Sequence, residues 1–327
     1  MEFNGLALVT GAAGFTGSHV VEHLVRKGIK VRATSRPRED TSFFDKLGVE
    51  YIGADLTKPD TLPGLFEGGV DRVFHLGAIC NFSTRYDDLY PTNVLGVSHL
   101  TRLALQAGVK RFVHVTSTSV YGYYIGTPFQ EDMTRNPQDD YACSKRDGED
   151  IVFKRINEGL PAVIVRPCTV YGPRCNDGAG KAFSRPSSIS AIPGSGKQLL
   201  SNVRAEDVAA CLEYLSERDD AVGEIYNICE DTYPTLEEAL TLAANTYGTK
   251  APKLHLPLGL VKATALIDGW VSGAKGKIPD LEYYAVKYLY ADYVVDNTKL
   301  KSIGFKLKYP DFTESIKDLG ERFRNQS

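Results

Sequence analysis

Tyr141 and Lys145, near the middle of the chain, have the types and the spacing of an acid–base pair. They stand four positions apart in the stretch DDYACSKRDGEDIVF. Tyrosine is a poor acid because its unperturbed pKa is about 10, and a neighbouring cation lowers that pKa by stabilising the phenolate. Residues four apart share one face of a helix, so this lysine can supply the cation. Such a pair can protonate the oxygen of a carbonyl group that accepts a hydride.

Other pairs in the chain show that spacing alone is weak evidence. Tyr283 and Lys287 also stand four apart, in the tyrosine-rich stretch YYAVKYLYADY. His19 and His23 have the spacing of a metal-binding pair, but no third ligand lies near them in the sequence. We therefore expect no metal, and the choice between the two tyrosine–lysine pairs depends on their surroundings.

Three evenly spaced glycines near the N-terminus form a second candidate site. Gly11, Gly14 and Gly17 lie in LALVTGAAGFTGSHVVEHLVRKG, between a strand-like apolar run and a helix-like amphipathic run. A helix N-terminus offers unpaired N–H groups and partial positive charge, and a diphosphate can dock there where no side chain blocks the backbone. A tight strand–helix turn without a ligand is the alternative explanation. The position directly after the first strand of a βαβ unit favours a dinucleotide site.

The elements that must position these residues alternate along the first half of the chain. Short apolar runs predict strands, and longer amphipathic runs between them predict helices. The apolar runs are LALVTG, IKVRATS, VEYIGADL, DRVFHLGA, RFVHVTSTS and LPAVIVRP. Buried strands that alternate with helices predict a parallel sheet covered on both faces. The fold class is therefore α/β, a doubly wound parallel sheet of at least six strands.

The pattern changes after about residue 172, which suggests a second portion of the chain. The stretch PRCNDGAGKAFSRPSSISAIPGSGKQ is rich in Gly, Pro and Ser and is typical of a loop or substrate lid. Residues 1–172 are predicted to form the nucleotide-binding domain, with returns to it at 201–230 and near 291–298. Residues 173–200 and 231–327 are predicted to form a smaller, mostly helical substrate-binding portion.

The stretch TGAAGFTG resembles the glycine fingerprint of the short-chain dehydrogenase/reductase superfamily. The length of the chain points to the extended branch, and the resemblance covers residue 4 to about 230. It implies a Rossmann fold and a site built from a strand-end serine, a tyrosine–lysine helix and a strand that ends in Arg-Pro. In this chain Ser117 in VTSTSVYG, Tyr141 and the pair Arg166-Pro167 follow that order. Tyr283 does not, so the resemblance selects Tyr141 with its lysine.

The resemblance also implies roles for the three catalytic candidates. Tyr141 is expected to be the general acid in reduction and the base in oxidation. Lys145 is expected to hold the coenzyme ribose and to lower the pKa of the tyrosine. Ser117 is expected to donate a hydrogen bond to the substrate oxygen; capping the end of the strand is its alternative role.

A nicotinamide coenzyme follows from the same resemblance, and the end of the second strand bears on which one. In VRATSRPR, Ser35 stands where an NAD site has an acid, and Arg36 and Arg38 follow. An arginine there can pair with a 2′-phosphate, so NADP is favoured over NAD; solvated surface arginines are the alternative. The predicted cofactor-binding residues are Thr10, Gly11, Gly14, Phe15, Thr16, Gly17, Ser35, Arg36, Arg38, Asp55, Leu56, Leu76, Gly77, Ala78, Asn93, Tyr141, Lys145 and Pro167.

Extended members of the superfamily reduce carbonyls, epimerise nucleotide-sugars or dehydrate them. Dehydratases carry an Asp-Glu pair after the strand-end serine, where this chain has Thr118 and Ser119, so we do not expect dehydration. Epimerases usually carry an arginine seven residues before the aspartate of a V-x-D-V-A segment. In LLSNVRAEDVAA that aspartate is Asp207 and the matching position is Leu200, while Arg204 lies elsewhere in the segment.

We therefore expect an NADP(H)-dependent oxidoreductase that acts on a carbonyl or secondary alcohol of a small, fairly apolar substrate. In this respect the chain looks similar to the dihydroflavonol-reductase and 3β-hydroxysteroid-dehydrogenase members. A nucleotide-sugar epimerase is the alternative, with Arg174, Lys181 or Arg185 as an altered anchor. A second alternative is a non-catalytic NADP-sensing protein.

The composition limits the partners and the location. The 327 residues carry a net charge of −3 without a basic block, so we expect no nucleic acid and no membrane as partner. The apolar stretch LHLPLGLVKATALIDGWV is too interrupted to span a bilayer. Six cysteines without a CxxC pair predict reduced, buried thiols in a cytoplasmic protein. The resemblance implies a homodimer through the helices around 86–107 and 139–157.

Overall fold

A computed structural model describes residues 5–38, 40–123, 128–176, 178, 180–184, 191–274 and 282–326. Within these residues, seven parallel strands form the main sheet. The strands of the chain are β1 (Leu6–Thr10), β2 (Val31–Ser35), β3 (Glu50–Gly53), β4 (Val70–His75), β5 (Arg111–Val115), β6 (Ala162–Pro167), β7 (Thr169–Tyr171), β8 (Ala191–Pro193), β9 (Asn202–Arg204), β10 (Ile225–Ile228) and β11 (Leu254–Leu256). Their order across the main sheet is β10-β6-β5-β4-β1-β2-β3.

Helices cover both faces of this sheet. They are α1 (Phe15–Arg26), α2 (Ser42–Lys46), α3 (Tyr86–Tyr90), α4 (Gly96–Gln106), α5 (Asp140–Asn157), α6 (Lys181–Ser184), α7 (Ala205–Ser216), α8 (Leu236–Thr246), α9 (Leu258–Ala274), α10 (Thr298–Ser302) and α11 (Phe312–Gln326). Apolar residues of α1 and α7 pack into one core cluster, and those of α4 and α5 pack into another. The doubly wound parallel sheet predicted from the sequence is confirmed.

The strand order reverses at β1, which pairs with β2 on one side and with β4 on the other. In an open parallel sheet, ligands bind outside the carboxyl ends of the strands at such a point. Every residue of β1 and of β6 is buried, as central strands covered on two faces require. The fold therefore creates one crevice, beyond Thr10 at the end of β1 and His75 at the end of β4.

The later part of the chain builds smaller units beside the sheet. β7 pairs with β9, β8 pairs with β11, and α6, α8 and α11 surround a separate apolar cluster. Of the predicted returns to the main domain, β10 pairs with β6 in the main sheet, whereas residues 293 and 295 make isolated bridges. The division into two portions stays a prediction. None of the helices among the described residues is both long and apolar enough to cross a membrane.

Candidate active site

The ends of β1 and β4 are tied together by hydrogen bonds at the floor of the crevice. Thr10 Oγ1 lies 2.7 Å from His75 Nδ1, and the Gly77 N–H donates to Thr10 Oγ1 at 3.1 Å. Burial lowers the pKa of His75 to about 3, so this ring is neutral at pH 7. These contacts fix the backbone of the 75–77 segment against the glycine turn.

The three glycines of that turn have different reasons to lack a side chain. Gly11 has φ +66°, and a Cβ there would lie 2.8 Å from the Gly77 nitrogen. A Cβ on Gly17 would lie 2.1 Å from the carbonyl oxygen of Gly11. The turn itself therefore explains both positions. Gly14 is exposed, and a Cβ there would meet the Gly11 oxygen at 3.1 Å, so Gly14 keeps the backbone accessible from outside.

The start of α1 has the properties of a diphosphate site. Gly14 is the N-cap residue, it makes no side-chain capping bond, and the first turn contains no acidic side chain. Phe15 and Thr16 in that turn are half-buried. The N–H groups of a first helical turn lack partners within the helix and carry partial positive charge. These residues fit the diphosphate of a dinucleotide coenzyme.

The end of β2 leaves two cations at the surface. The Ser35 hydroxyl lies 3.1 Å from the Tyr51 hydroxyl, and Arg36 and Arg38 are exposed. Neither arginine forms an ion pair with another of the described residues. Asp55 accepts the Thr57 N–H at 2.9 Å, which is the main reason why its pKa is lowered. This edge of the crevice can therefore accept a phosphate through the arginines.

The segment after β4 is held from the opposite side by a buried asparagine. Asn93 Oδ1 accepts the Ile79 N–H at 2.8 Å, and Asn93 Nδ2 donates to the Ile79 carbonyl at 3.0 Å and to Ser144 Oγ at 2.9 Å. Leu56 packs on Gly77, while Leu76 and Ala78 are half-buried. Asn93 lies in a π-helical turn over Pro91–Leu95, a feature that often marks functional sites. Its polar atoms bind protein groups, so it positions the segment that would face the coenzyme.

The three catalytic candidates converge at the carboxyl edge of the sheet. Ser117 follows β5, and Tyr141 and Lys145 lie on the inward face of α5, where both are buried. Ser117 is a polar neighbour of the Tyr141 hydroxyl and favours its ionised form, and Lys145 Nζ donates to the Val115 carbonyl at 2.9 Å. Asp139 caps α5 by accepting the Ala142 N–H at 2.8 Å, which fixes the start of the helix.

The pKa values at this site differ from the sequence expectation. Burial raises the pKa of Tyr141 well above its ordinary value, and the neighbouring Ser117 only partly offsets this. The expected lowering by Lys145 is not what the structure shows, because desolvation of the phenolate dominates and the ammonium donates to Val115. Burial also lowers the pKa of Lys145 to about 8.

The structure adds residues that the sequence did not single out. The Cys80 thiol is a neighbour of the Tyr141 hydroxyl and disfavours its ionised form, and the Phe82 ring packs against the Tyr141 ring at 4.9 Å between centroids. Tyr288, from the late tyrosine cluster, packs on Phe82 and donates to Asp139 at 2.8 Å. The one available signal was the position of residues 80–82 in the segment that follows β4. The prediction of buried cysteines is wrong for Cys80, which is exposed, and holds only in part for Cys143, which is half-buried.

The competing pair lies elsewhere and in another conformation. Lys287 belongs to a 3-10 turn over Ala285–Leu289, where residues four apart do not stack, and its ammonium lies over the rings of Tyr123 and Tyr284. Tyr283 packs beside α9. Tyr283 and Lys287 therefore do not share one helical face, although Lys287 lies over Tyr123 beside the crevice.

A buried ion pair supports the helix that carries the tyrosine and lysine. Arg166, at the end of β6, donates to both carboxylate oxygens of Glu149 at 2.8 and 2.7 Å, and both side chains are almost fully buried. Glu149 follows Lys145 by one turn of α5. The adjacent Pro167 is buried, and its carbonyl accepts the Thr118 hydroxyl at 3.3 Å. This pairing holds α5 to the sheet in one orientation.

Comparison with known proteins agrees with this geometry. The family model described as the NAD dependent epimerase/dehydratase family matches residues 7–229. The chain belongs to this family. It is an enzyme of the NAD(P)-dependent type within the extended short-chain dehydrogenase/reductase superfamily, which confirms the resemblance noted in the sequence.

Relatives within the epimerase/dehydratase family include reductases and epimerases. The 4-hydroxy-2-methyl-3-oxo-4-farnesyl-3,4-dihydroquinoline-1-oxide ketoreductase of Stigmatella aurantiaca is 28% identical over 271 residues, which are 79% of this chain and 78% of that protein. The ceramide reductase of Caulobacter vibrioides is 30% identical over 273 residues, 82% of this chain and 79% of that protein. The crystal structure of Thermus thermophilus UDP-glucose 4-epimerase in complex with NAD has a TM-score of 0.78 at 25% identity and covers 98% of this chain and 100% of its own.

Three of the positions considered for binding a substrate diphosphate in an epimerase are apolar or already ion-paired. Leu200 is half-buried in an apolar cluster, and Arg204 is fully buried in an ion pair with Glu206. Arg174 pairs with Glu22 through both carboxylate oxygens at 3.0 and 2.9 Å. The remaining candidates are Lys181, which begins α6, and Arg185, which lies outside the described residues.

Proposed function

We propose that the chain is an NADP(H)-dependent reductase or dehydrogenase that acts on a carbonyl or secondary alcohol of a small, fairly apolar substrate. The observation that carries the proposal is the convergence of Tyr141 with Ser117 after β5, with Lys145 buried one helical turn away on α5. All three lie at the carboxyl edge of the sheet, beside the glycine turn. The coenzyme, when bound, supplies or accepts the hydride.

The chain's own residues then handle the proton and the charge. Tyr141 gives its proton to the substrate oxygen in reduction and takes it back in oxidation. Ser117 donates a hydrogen bond to that oxygen as negative charge develops on it. Lys145 holds the coenzyme ribose and provides a positive charge in a buried place, where electrostatic interactions are stronger than in water.

The exposed arginines at the end of β2 support NADP rather than NAD. Ser35 offers no carboxylate to a ribose 2′-hydroxyl, while Arg36 and Arg38 can reach a 2′-phosphate. A planar guanidinium suits a phosphate because it can donate two parallel hydrogen bonds.

The walls around Tyr141 support an apolar substrate. Phe82, Tyr123 and Tyr288 form a chain of ring contacts beside the tyrosine, with centroids 5.2 to 5.4 Å apart. Leu200 stands where a diphosphate anchor would be expected. The reductases that the chain resembles are named for a farnesylated quinoline and a ceramide, both of which carry long apolar groups.

A nucleotide-sugar epimerase is the second candidate, because the chain also resembles UDP-glucose 4-epimerases. A substrate comparison separates the two. In one assay, the purified enzyme and NADPH are given a panel of apolar ketones. In the other, UDP- and dTDP-sugars are added to the purified enzyme while the absorbance of reduced coenzyme is followed. Turnover of ketones supports the reductase, whereas turnover of sugars alone would overturn it.

The acid is tested by Tyr141→Phe, which removes one oxygen from a buried ring. We expect turnover to fall about 10²- to 10⁴-fold, as for loss of a general acid. The dissociation constant of NADPH, measured by fluorescence titration, is expected to change little. Tyr283→Phe is the matched control and should leave turnover unchanged. Undiminished turnover in Tyr141→Phe would show that another group is the acid.

A further inference from the structure

Helix α9 presents an apolar face outward, which we call the outer face of α9. It consists of five large side chains with exposures between 39% and 82%, namely Leu260, Leu266, Ile267, Trp270 and Val271. A surface helix of a globular protein normally shows the reverse pattern, with its charged residues outward. Contiguous exposed apolar residues mark interaction surfaces.

The opposite side of the same helix fixes it to the protein. Val261 and Ala265 are buried and pack with Val286 in a small cluster, to which Tyr283 also adds. These two residues are four apart and lie about half a turn away from the outer face. The helix is therefore held to the protein by its inward side. The apolar residues of the outer face are exposed although the helix itself is packed in place.

The charges around α9 differ in sign from those of the whole chain. Residues 250–277 contain the single acidic residue Asp268 and five lysines, whereas the chain carries a net charge of −3; the lysines are Lys250, Lys253, Lys262, Lys275 and Lys277. Among these, Lys250 and Lys253 are exposed and precede β11, the strand that leads into the helix. Basic residues beside an apolar helix face are the composition of helices that lie on anionic lipid.

We propose that the outer face of α9 docks on an anionic lipid surface, with the helix lying in the plane of the interface. Trp270 is the one tryptophan of the chain and is 82% exposed; an indole ring is favoured at the boundary between headgroups and acyl chains. A second copy of the chain is the less favoured occupant, because the predicted dimer helices lie at 86–107 and 139–157. From the composition we expected no membrane partner. The exposed apolar side chains of α9, which the composition does not reveal, lead us to propose one.

The inward side of α9, opposite the outer face, is connected to the candidate active site by a short series of contacts. Tyr283 packs beside α9, and the 3-10 turn that follows it carries Tyr288. Tyr288 packs on Phe82, and Phe82 packs on Tyr141. Docking through α9 therefore brings the tyrosine-rich wall of the crevice close to the lipid, from which an apolar substrate can enter. The docking stands beyond the proposed reaction and is measured without it.

The first experiment uses Trp270 as the reporter in the full chain. Vesicles of phosphatidylcholine alone, and of equal parts phosphatidylcholine and phosphatidylglycerol, are titrated into the protein while tryptophan fluorescence is recorded and co-sedimentation is measured. We expect a blue shift and co-sedimentation with the anionic vesicles. High salt should weaken the binding, because screening reduces the attraction of the lysines. Exchanging Lys250 and Lys253 for glutamine should weaken it roughly fivefold for each lysine.

A variant on the outer face gives the decisive comparison. Ile267→Glu places a charge on a side chain that is 64% exposed, so folding should be unaffected, and vesicle binding should fall about tenfold or more. Val222→Glu adds the same charge at an exposed apolar residue outside α9 and should leave binding unchanged. Circular dichroism is the readout that both variants remain folded.

Three results with vesicles would each overturn the docking proposal. These are failure to bind either vesicle, equal binding to neutral and anionic vesicles, and binding that Ile267→Glu leaves intact. Sedimentation velocity without lipid tests the second copy as occupant. Self-association that Ile267→Glu abolishes would assign the face to a protein–protein interface instead.

Discussion

Replacing Lys145 by methionine is expected to stabilise the folded protein at pH 7 while abolishing turnover. The pKa of Lys145 falls from 10.5 to about 8, chiefly because burial penalises the ammonium; Cys80 and Glu149 favour the charged form and offset part of that penalty. One pKa unit corresponds to about 1.4 kcal/mol, so keeping this lysine charged costs about 3 kcal/mol of folding free energy. Methionine has a similar length and removes that cost.

Part of the gain is lost with the hydrogen bond to Val115. Lys145 Nζ donates to that carbonyl, and leaving a buried acceptor without a partner costs about 1–3 kcal/mol. The net expected increase in the free energy of unfolding is therefore about 0–2 kcal/mol at pH 7. A residue kept for chemistry at a cost in stability is common in active sites.

The pH dependence of the difference tests the cause. The pKa of Lys145 is lower in the folded than in the unfolded state, so the unfolded chain binds more protons between about pH 8 and 10.5. The free energy of unfolding of the wild-type protein therefore rises as the pH increases through this window. Below pH 8 the charged Lys145 destabilises the folded protein by the full amount. The advantage of Lys145→Met should therefore be largest at pH 7 and should shrink by pH 9.5.

Urea unfolding followed by circular dichroism at both pH values measures this difference. Lys154→Met, at an exposed position of the same helix, is the matched control and should change stability by less than about 0.5 kcal/mol at either pH. A Lys145→Met variant that is less stable than wild type at pH 7 would refute the reasoning. A stability difference that does not change with pH would refute it as well.

Three further predictions concern the framework and the coenzyme. Glu149→Gln should lower the free energy of unfolding by about 3 kcal/mol, measured in urea, because it leaves Arg166 buried without its charge partner. Gly17→Ala should lower the free energy of unfolding by about 3 kcal/mol and weaken NADPH binding, because its Cβ would lie 2.1 Å from a carbonyl oxygen. Gly269→Ala is the control: a Cβ there has no atom within 4 Å, so the substitution should stabilise α9 by about 0.5–1 kcal/mol. Arg36→Ala should weaken NADPH binding roughly tenfold to hundredfold and leave NADH binding unchanged, measured by fluorescence titration.

Each of these has a result that would contradict it. Glu158→Gln is the control for Glu149→Gln, because it removes a partner from Arg155 at the surface and should lower the free energy of unfolding by less than about 1 kcal/mol. If the two variants lose the same free energy of unfolding, burial of the Glu149–Arg166 ion pair does not matter. Wild-type stability in Gly17→Ala would show that the turn can rearrange. Equal weakening of NADH and NADPH by Arg36→Ala would argue against recognition of a 2′-phosphate.

The main sheet could be read from the sequence because its signals are local. LALVTG predicts a strand, and β1 covers Leu6–Thr10; AEDVAACLEYLSER predicts a helix, and α7 covers Ala205–Ser216. A strand covered on both faces is apolar throughout, and a helix packed on one side repeats its apolar residues every three to four positions. Neither pattern depends on distant residues.

Two segments differ from their local pattern. DLYPTNVLGVSHLTRLALQAG reads as one helix, but the structure divides it into α3, a π-helical turn and α4. Pro91 cannot donate a backbone hydrogen bond, and Asn93 in the widened turn binds the segment after β4. The tyrosine cluster from 283 onward, expected to be mostly helical, forms a 3-10 turn because its rings pack against α9 and the crevice.

The sequence by itself determined the alternation of strands and helices, the glycine turn and the three polar residues at strand and helix ends. These follow from residue type and spacing, which act within a few positions along the chain. Only the tertiary structure decided that Cys80, Phe82 and Tyr288 meet at Tyr141, that the pKa of Tyr141 rises rather than falls, and that α9 is apolar on its outward side. The physical reason is that burial depends on every element packed around a group, and desolvation can outweigh the charge of one near neighbour.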